Sequence, residues 1–251
     1  DIAYSQTGGG QTIVLIHGFL EEQGMWNSFR SALKDDFNIV TVDLLGQGRS
    51  GNLGYTHTME EHAEAVREVL NTLRIDRFTV VGHSMGGYVA LALAEMDEHK
   101  VARMIMFHST ALPDTEERRT DRERVIKLVQ RGKKVYINAV IPSLFAEENS
   151  SRLKKEIEEV IGTANAFSQQ GIVANIRGMM DRKDRTSILK TGGFPKLIIH
   201  GEHDSVIQTQ DIQKQASLNE NIRLEILEGV GHMGHLEAPE KCIKLISNFS
   251  K

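Results

Sequence analysis

The chain has 251 residues, of which 40% are hydrophobic and 25% are charged, and its formal net charge is −4. This composition is typical of a globular protein with one large domain, and the lack of a strongly basic patch argues against a nucleic-acid partner. No apolar run is long enough for a membrane span, and the single cysteine excludes an intrachain disulfide, so we expect a cytoplasmic protein without a signal peptide or a membrane partner.

Patterns typical of strands and helices alternate along most of the chain. Short apolar or β-branched runs predict strands at Thr12–Ile16, Asn38–Val42, 78–81, Val101–Phe107, 196–199 and Ile222–Leu227. Helical patterns lie at 25–33, 58–73, 208–218 and 239–249. Thr58 is the expected N-cap of the second helix, with Glu61 at capping-box spacing. This alternation predicts an α/β fold with a mostly parallel sheet and helices on both faces.

Residues 111–190 interrupt the alternation. They have a helical pattern almost throughout, and the only segment that could be a strand is 135–141. We therefore predict a core formed by 1–110 and 191–251, with 111–190 inserted as a helical lid over the carboxyl ends of the strands. Five apolar residues of the insertion are candidates for a substrate pocket, although for any single one of them packing between lid helices is the simpler explanation: Ile141, Phe145, Phe167, Met179 and Met180.

The most informative motif is Gly82-His83-Ser84-Met85-Gly86. It follows a predicted strand and leads directly into a predicted helix, which is the arrangement of a nucleophile elbow. Such a turn exposes the serine hydroxyl at the end of the sheet, while the flanking glycines leave room for the crossing strand and helix. Ser84 is the predicted nucleophile.

A serine nucleophile needs a base and a group that orients the base. Asp204 follows the strand at 196–199 and is the predicted acid, although most loop aspartates only stabilise turns. His232 follows the strand Ile222–Leu227 and is the predicted base, whereas we expect His235 to have a packing or hydrogen-bonding role. Glu202 and His203 should face solvent.

The negative charge that develops during acyl transfer requires backbone N–H donors. We predict the N–H groups of Met85, directly after the nucleophile, and of Phe19, in the loop after the first predicted strand. His17 in the same loop is expected to fix the loop by hydrogen bonds.

Together these motifs resemble the α/β-hydrolase superfamily. The resemblance rests on His17-Gly-Phe19, Asp43-x-x-Gly-x-Gly-x-Ser50, Gly82-His-Ser-Met-Gly-Gly87, Gly201-Glu-His-Asp204 and Gly231-His-x-x-x-x-Glu-x-Pro239. It extends from about residue 4 to the end of the chain and is weakest in the lid. It implies an α/β-hydrolase fold with Ser84, Asp204 and His232 as a triad, and it implies that the first strands of such a fold could be missing here.

Two other motifs carry less weight. Gly46-Gln-Gly48-Arg-Ser-Gly51 matches a dinucleotide fingerprint, but a loop follows it where the fingerprint requires a helix. The histidines and Asp204 of 200–235 do not have the spacing of known metal motifs. We therefore expect no cofactor and no metal.

The expected activity is hydrolysis of a small-molecule carboxylic ester or lactone through an acyl-enzyme on Ser84. Two alternatives remain open at this point. The same residues could serve a C–C or C–O lyase of a carboxylated substrate, with Arg177, Arg182 or Arg185 as carboxylate ligands; alternatively, the protein could be a small-molecule receptor with vestigial hydrolysis.

Overall fold

The computed structural model describes residues 1–251 and has a seven-stranded sheet at its centre. The strands are β1 (Tyr4–Thr7), β2 (Thr12–Ile16), β3 (Asn38–Val42), β4 (Phe78–His83), β5 (Val101–Phe107), β6 (Lys196–Gly201) and β7 (Ile222–Leu227). Their order is β1-β3-β2-β4-β5-β6-β7. Only β1 is antiparallel to its neighbour, and all other pairs are parallel. The predicted α/β fold is confirmed, with β1 added at the edge.

Eleven α-helices surround the sheet. They are α1 (Asn27–Leu33), α2 (Met59–Thr72), α3 (Met85–Met96), α4 (Glu116–Val140), α5 (Glu147–Ser150), α6 (Lys154–Ala166), α7 (Gln169–Met180), α8 (Thr186–Thr191), α9 (Thr209–Ala216), α10 (Gly234–Glu237) and α11 (Pro239–Ser250). No helix is both long and apolar enough to cross a membrane.

The alternation of side chains along each strand divides the hydrophobic core between the two faces of the sheet. Ile13 and Leu15 of β2 pack with Trp26, next to α1, and with Ile246 of α11 on one face. Val14 and Ile16 of the same strand belong to the larger cluster on the other face, which includes α2 and α3. Both faces of β2 are therefore buried, as expected for a central parallel strand.

Two local predictions can be compared directly with the structure. Thr58 caps α2 as predicted: its Oγ1 accepts from the Glu61 N–H at 3.1 Å, and Glu61 Oε2 accepts from the Thr58 N–H at 2.8 Å. The segment 135–141, by contrast, contains no strand, because 135–140 forms the last part of α4. Ile137, Val140 and Ile141 are spaced three and four residues apart, as on one face of a helix, and they pack in or against the larger core cluster.

Residues 111–190 lie between β5 and β6 and hold α4 to α7 and all but the last residue of α8. The helix α4 is broken at Gly132, where φ is 179° and ψ is 87°. The half before the break carries Arg118 and Arg122, and the half after it carries Tyr136 and Val140; all four residues line one cavity. In a straight helix, Arg118 and Tyr136 would be about 27 Å apart along the axis. The break therefore allows both halves to contribute to the same site.

Candidate active site

Ser84 lies between β4 and α3 in a conformation that is unusual for a residue with a side chain, with φ 51° and ψ −115°. Its N–H donates to the Phe107 carbonyl at 2.9 Å, and the Ser109 hydroxyl donates to the Ser84 carbonyl at 2.7 Å. A Cβ at Gly82 would lie 2.3 Å from the Gly86 carbonyl oxygen, and one at Gly86 would lie 2.4 Å from the carbonyl of Ile16. The motif glycines are thus required by close backbone contacts, and the surrounding structure holds the strained turn.

Three side chains from the ends of three strands meet at this turn. His232 Nε2 lies 2.9 Å from Ser84 Oγ, and His232 Nδ1 lies 2.8 Å from Asp204 Oδ2. His232 follows β7, Asp204 follows β6, and both side chains are buried. Because parallel strands end at the same edge of a sheet, residues that are 148 positions apart in sequence reach hydrogen-bonding distance.

Asp204 uses both of its carboxylate oxygens. Oδ1 accepts from the N–H groups of Val206 and Ile207 at 2.8 and 3.0 Å, which stabilises the turn after β6. Oδ2 faces His232 and, at 3.3 Å, His108 Nδ1. Burial alone would raise the pKa of Asp204, but the charge of His232 and the hydrogen bonds from both histidines hold it well below its ordinary value. One residue thus makes both the turn contacts and the contact with His232.

The contact of His108 with Asp204 was not predicted from the sequence. His108 follows β5, and burial lowers its pKa to about 4, so the ring is neutral and Nδ1–H is the donor to Asp204. The signal available in the sequence was its position directly after a strand.

The Phe19 N–H, in the loop after β2, makes no hydrogen bond within the protein. Met85 is the first residue of α3, a position where a backbone N–H has no partner inside the helix. The loop that carries Phe19 is held at several points. His17 Nε2 accepts from the Leu44 N–H at 2.9 Å, which leaves Nδ1 as a donor to the Gly18 carbonyl at 2.8 Å. The Gln47 amide also donates to that carbonyl, at 3.0 Å. His17 therefore has the loop-fixing contacts expected from the sequence.

A second carboxylate–imidazole pair, Glu21 with His83, lies beside the first. Glu21 Oε2 accepts from His83 Nδ1 at 2.7 Å and from the Gly18 N–H at 2.7 Å. His83 Nε2 lies 3.0 Å from the His232 carbonyl oxygen. Both ring nitrogens of His83 therefore face acceptors, and both contacts are satisfied only when the ring is doubly protonated.

The electrostatics of this second pair agree with its geometry. Burial on its own would lower the pKa of His83, but the Glu21 carboxylate raises it above the ordinary value. Burial would likewise raise the pKa of Glu21, yet His83 lowers it to about 2. The sequence analysis did not identify this pair, although His83 adjoins Ser84 and Glu21 follows the Phe19 loop.

His235, which follows β7, and Glu202 and His203, which follow β6, make no hydrogen bond with Ser84. His235 lies on the far side of Glu21, with Nε2 3.7 Å from Glu21 Oε1, and packs near Trp26. Burial lowers its pKa to about 3. Glu202 and His203 are exposed, as predicted.

Two groups of side chains in this region have atoms that could coordinate a metal ion, all within 4.8 Å of one another. They are Glu21 with His83 and His235, and Asp204 with His108 and His200. In both groups a carboxylate oxygen already accepts a hydrogen bond from an imidazole.

Ser84 and His232 open onto a cavity of about 700 Å³, part of which is open to solvent. Eleven of its seventeen lining residues are hydrophobic. Of the five predicted pocket residues, Ile141 and Met179 line it. Phe145, Phe167 and Met180 do not line it; Phe145 and Phe167 belong to the larger hydrophobic core cluster, and Met180 packs against that cluster. Residues that the sequence did not single out complete the apolar wall: Leu20, Tyr88, Tyr136, Val140, Leu144, Val160, Val206 and Met233.

The three arginines considered as carboxylate ligands are bound by the protein itself. Arg177 donates to the Tyr55 carbonyl at 3.0 Å, Arg182 pairs with Asp114, and Arg185 pairs with Glu60 and Glu95 at 2.8 and 2.9 Å. None of them lines the cavity. The arginines that do line it are Arg118 and Arg122.

Comparison with known proteins agrees with the fold. Residues 11–239 match the family described as alpha/beta hydrolase fold. A thermophilic esterase from Thermogutta terrifontis, solved with malate bound, is 29% identical with a TM-score of 0.94, covering 99% of this chain and 92% of the esterase. The enol-lactonase from Burkholderia xenovorans LB400 is 22% identical with a TM-score of 0.91, covering 99% and 95%. A Yersinia enterocolitica protein provisionally named as the carbamate hydrolase RutD is 27% identical over 87% of this chain and 79% of its own length.

A mostly parallel sheet with a strained serine turn between strand and helix defines the class of protein, and the family match covers nearly the whole chain. The chain belongs to the α/β-hydrolase superfamily.

Proposed function

We propose that the protein is a serine hydrolase that cleaves a carboxylic ester or lactone. The observation that carries the proposal is the hydrogen-bonded series from Ser84 Oγ through His232 to Asp204, with distances of 2.9 and 2.8 Å. A neutral imidazole in this position accepts the serine proton, while the carboxylate holds the tautomer in which Nε2 is free to accept it.

In the first step, Ser84 Oγ attacks the substrate carbonyl carbon and His232 Nε2 takes the hydroxyl proton. The resulting oxyanion accepts hydrogen bonds from the free N–H groups of Phe19 and Met85. His232 then gives the proton to the leaving alkoxide, which departs as the alcohol and leaves an acyl group on Ser84.

In the second step, His232 activates a water molecule that attacks the acyl carbonyl. Collapse of the second oxyanion releases the carboxylic acid and returns the proton to Ser84. Glu21 and His83 do not react in this scheme. They position the Phe19 loop through the Gly18 N–H and hold the main chain of His232 through its carbonyl.

The segment 111–190 acts as a lid in this proposal, since α4 supplies Arg118, Tyr136 and Val140 to the cavity wall. The mainly apolar lining favours a substrate whose acyl or alcohol group is small and largely hydrocarbon. The similarity to a thermophilic esterase at 29% identity supports an ester as the substrate type.

The test is hydrolysis of p-nitrophenyl acetate, butyrate and octanoate by the wild-type protein and by Ser84→Ala, each with and without EDTA. We expect turnover that depends on chain length, is insensitive to EDTA and falls by a factor on the order of 10⁶ in Ser84→Ala. Activity that survives in Ser84→Ala would contradict the proposal.

A further inference from the structure

The polar side chains of the cavity fall into two sets. Ser84, His83, His232 and Glu21 come from the sheet side, and all of them belong to the hydrogen-bonded arrangement around the nucleophile. Arg118, Arg122 and Tyr136 come from α4 in the helical segment, and the proposed reaction does not use them. A cavity with mainly apolar walls and a second polar set suits a ligand that is polar at a point away from its reacting carbonyl.

The two arginines of α4 differ in how they are paired. Arg122 contacts both oxygens of Asp114, a buried carboxylate that also pairs with Arg182. Asp114 is thereby shared between two guanidinium groups. The Arg118 guanidinium has no hydrogen bond and no ion pair with any residue of the protein. Its five N–H donors are free to bind a ligand.

Tyr136 provides a second unused donor beside these charges. Its side chain lines the cavity and its hydroxyl has no hydrogen-bond partner in the protein. Arg118 and Arg122 line the same cavity as Tyr136. Burial raises the pKa of the phenol above its ordinary value, although the charges of Arg122 and Arg118 act in the opposite direction. The phenol therefore remains a neutral donor at neutral pH.

The charge around Arg118 is unbalanced. Arg118 and Arg122 also line an adjoining surface cavity, together with Arg182, Asp114 and Asp211. Three arginines thus face two aspartates, and Asp211 has its own partner in Lys214 at 3.2 Å. Arg118 is the arginine of this set that has no ion-pair partner, and it lines both cavities.

From this arrangement we infer that the preferred substrates carry a carboxylate at the end remote from the scissile carbonyl, bound by Arg118 and Tyr136. This inference rests on the proposed function and narrows it to the monoesters of dicarboxylic acids. A guanidinium matches a carboxylate with two parallel N–H···O bonds, and the phenol adds a third. The apolar wall between the two polar sets would contact the hydrocarbon chain of such a substrate.

The experiment compares two esters with acyl chains of six carbons, p-nitrophenyl hydrogen adipate and p-nitrophenyl hexanoate. Adipate is chosen because the monoesters of shorter diacids cleave themselves by forming cyclic anhydrides. The measured quantity is the ratio of kcat/KM for adipate to that for hexanoate. We expect this ratio to fall about 10-fold or more in Arg118→Met, the usual magnitude for losing hydrogen bonds to a charged group, and several-fold in Tyr136→Phe.

The matched control is Arg124→Met. Arg124 lies on the same helix, its side chain is 73% exposed, and it does not line the cavity, so both kcat/KM values should stay within about twofold of wild type. Because Arg118 is exposed, added NaCl should also lower the ratio in the wild-type protein.

A ratio that stays within twofold of wild type in Arg118→Met, while hexanoate is cleaved in a Ser84-dependent reaction, would overturn this inference and leave the proposed function intact. If the wild-type protein cleaves neither ester, the proposed function fails, and calorimetric binding of adipate to Ser84→Ala then decides the inference. Binding that is lost in the Ser84→Ala/Arg118→Met double variant would support the carboxylate site, and equal or absent binding in the two variants would overturn it.

Discussion

The two carboxylate–imidazole pairs of the site, Asp204 with His232 and Glu21 with His83, differ mainly in what the second ring nitrogen meets. Each carboxylate accepts from Nδ1, at 2.8 and 2.7 Å, and the two imidazole rings are 5.2 Å apart. His232 Nε2 faces a hydroxyl, which can donate a proton, and His83 Nε2 faces a carbonyl, which can only accept. The first arrangement suits the proposed role of His232 as the base, and the second holds the His83 ring between two acceptors as a cation.

Among the variants that test this difference between the two pairs, Asp204→Asn should have the largest effect on kcat. The amide allows the His232 tautomer in which Nε2 carries the proton and cannot act as a base, so we expect kcat for p-nitrophenyl butyrate to fall by about 10³–10⁴. Circular dichroism should show a folded protein, since an asparagine Oδ1 can still accept from the N–H groups of Val206 and Ile207. A fall of less than tenfold would contradict the role of Asp204.

Glu21→Gln should act chiefly on stability. It leaves the buried His83 ring without its counter-charge, and breaking one side of a buried ion pair costs about 3 kcal/mol of unfolding free energy. Urea denaturation would measure this loss. The glutamine Oε1 can still accept from the Gly18 N–H but is a weaker acceptor than a carboxylate, so the Phe19 loop is held less firmly and kcat should fall by up to about 10-fold. The neighbouring Glu22→Gln is the control, and an equal loss of stability in both variants would count against the pair.

The same pair predicts a pH dependence of stability. The pKa of His83 in the folded protein is raised above its unfolded value of about 6.5, so the stabilisation from the Glu21–His83 pair is fully present below that value and is lost as pH rises through the raised pKa. The difference in unfolding free energy between wild type and Glu21→Gln should therefore shrink as the pH rises above about 6.5. A difference that stays constant over this range would mean that His83 is not charged.

The smallest effect is expected for His108→Asn. His108 gives Asp204 a second and longer hydrogen bond, at 3.3 Å, and such a bond to a charged group is at the weak end of its range. We expect kcat to fall about fivefold with an unchanged dependence on acyl chain length. A loss as large as that of Asp204→Asn would place His108 in the proton path and contradict the proposed roles.

The reactive end of the site could be predicted from the sequence because each of its residues follows a strand. The strands before Ser84 and Asp204 are largely apolar and the strand before His232 alternates apolar with charged residues, and parallel strands bring their carboxyl ends to one edge. The strand β1 was missed because it is a short edge strand of four residues, none of them fully buried.

The walls of the cavity were predicted less well, for a physical reason. Apolar residues of a helical segment have the same pattern whether they face a cavity or a neighbouring helix, so Ile141 and Met179 could not be distinguished from Phe145 or Phe167. Arg118 and Tyr136 are 18 positions apart on one helix, and only the break at Gly132 brings them to the same cavity.

That break also bears on how the substrate range can change during evolution. A Cβ at Gly132 would meet only Val135 Cγ2, at 3.9 Å, and a φ of 179° is open to any residue, so this position tolerates substitution. Alanine favours helix over glycine by about 1 kcal/mol and would bias α4 toward a straight rod. A single mutation outside the cavity could then redirect selectivity while the reacting atoms stay in place, which makes Gly132 a natural site for diversifying libraries.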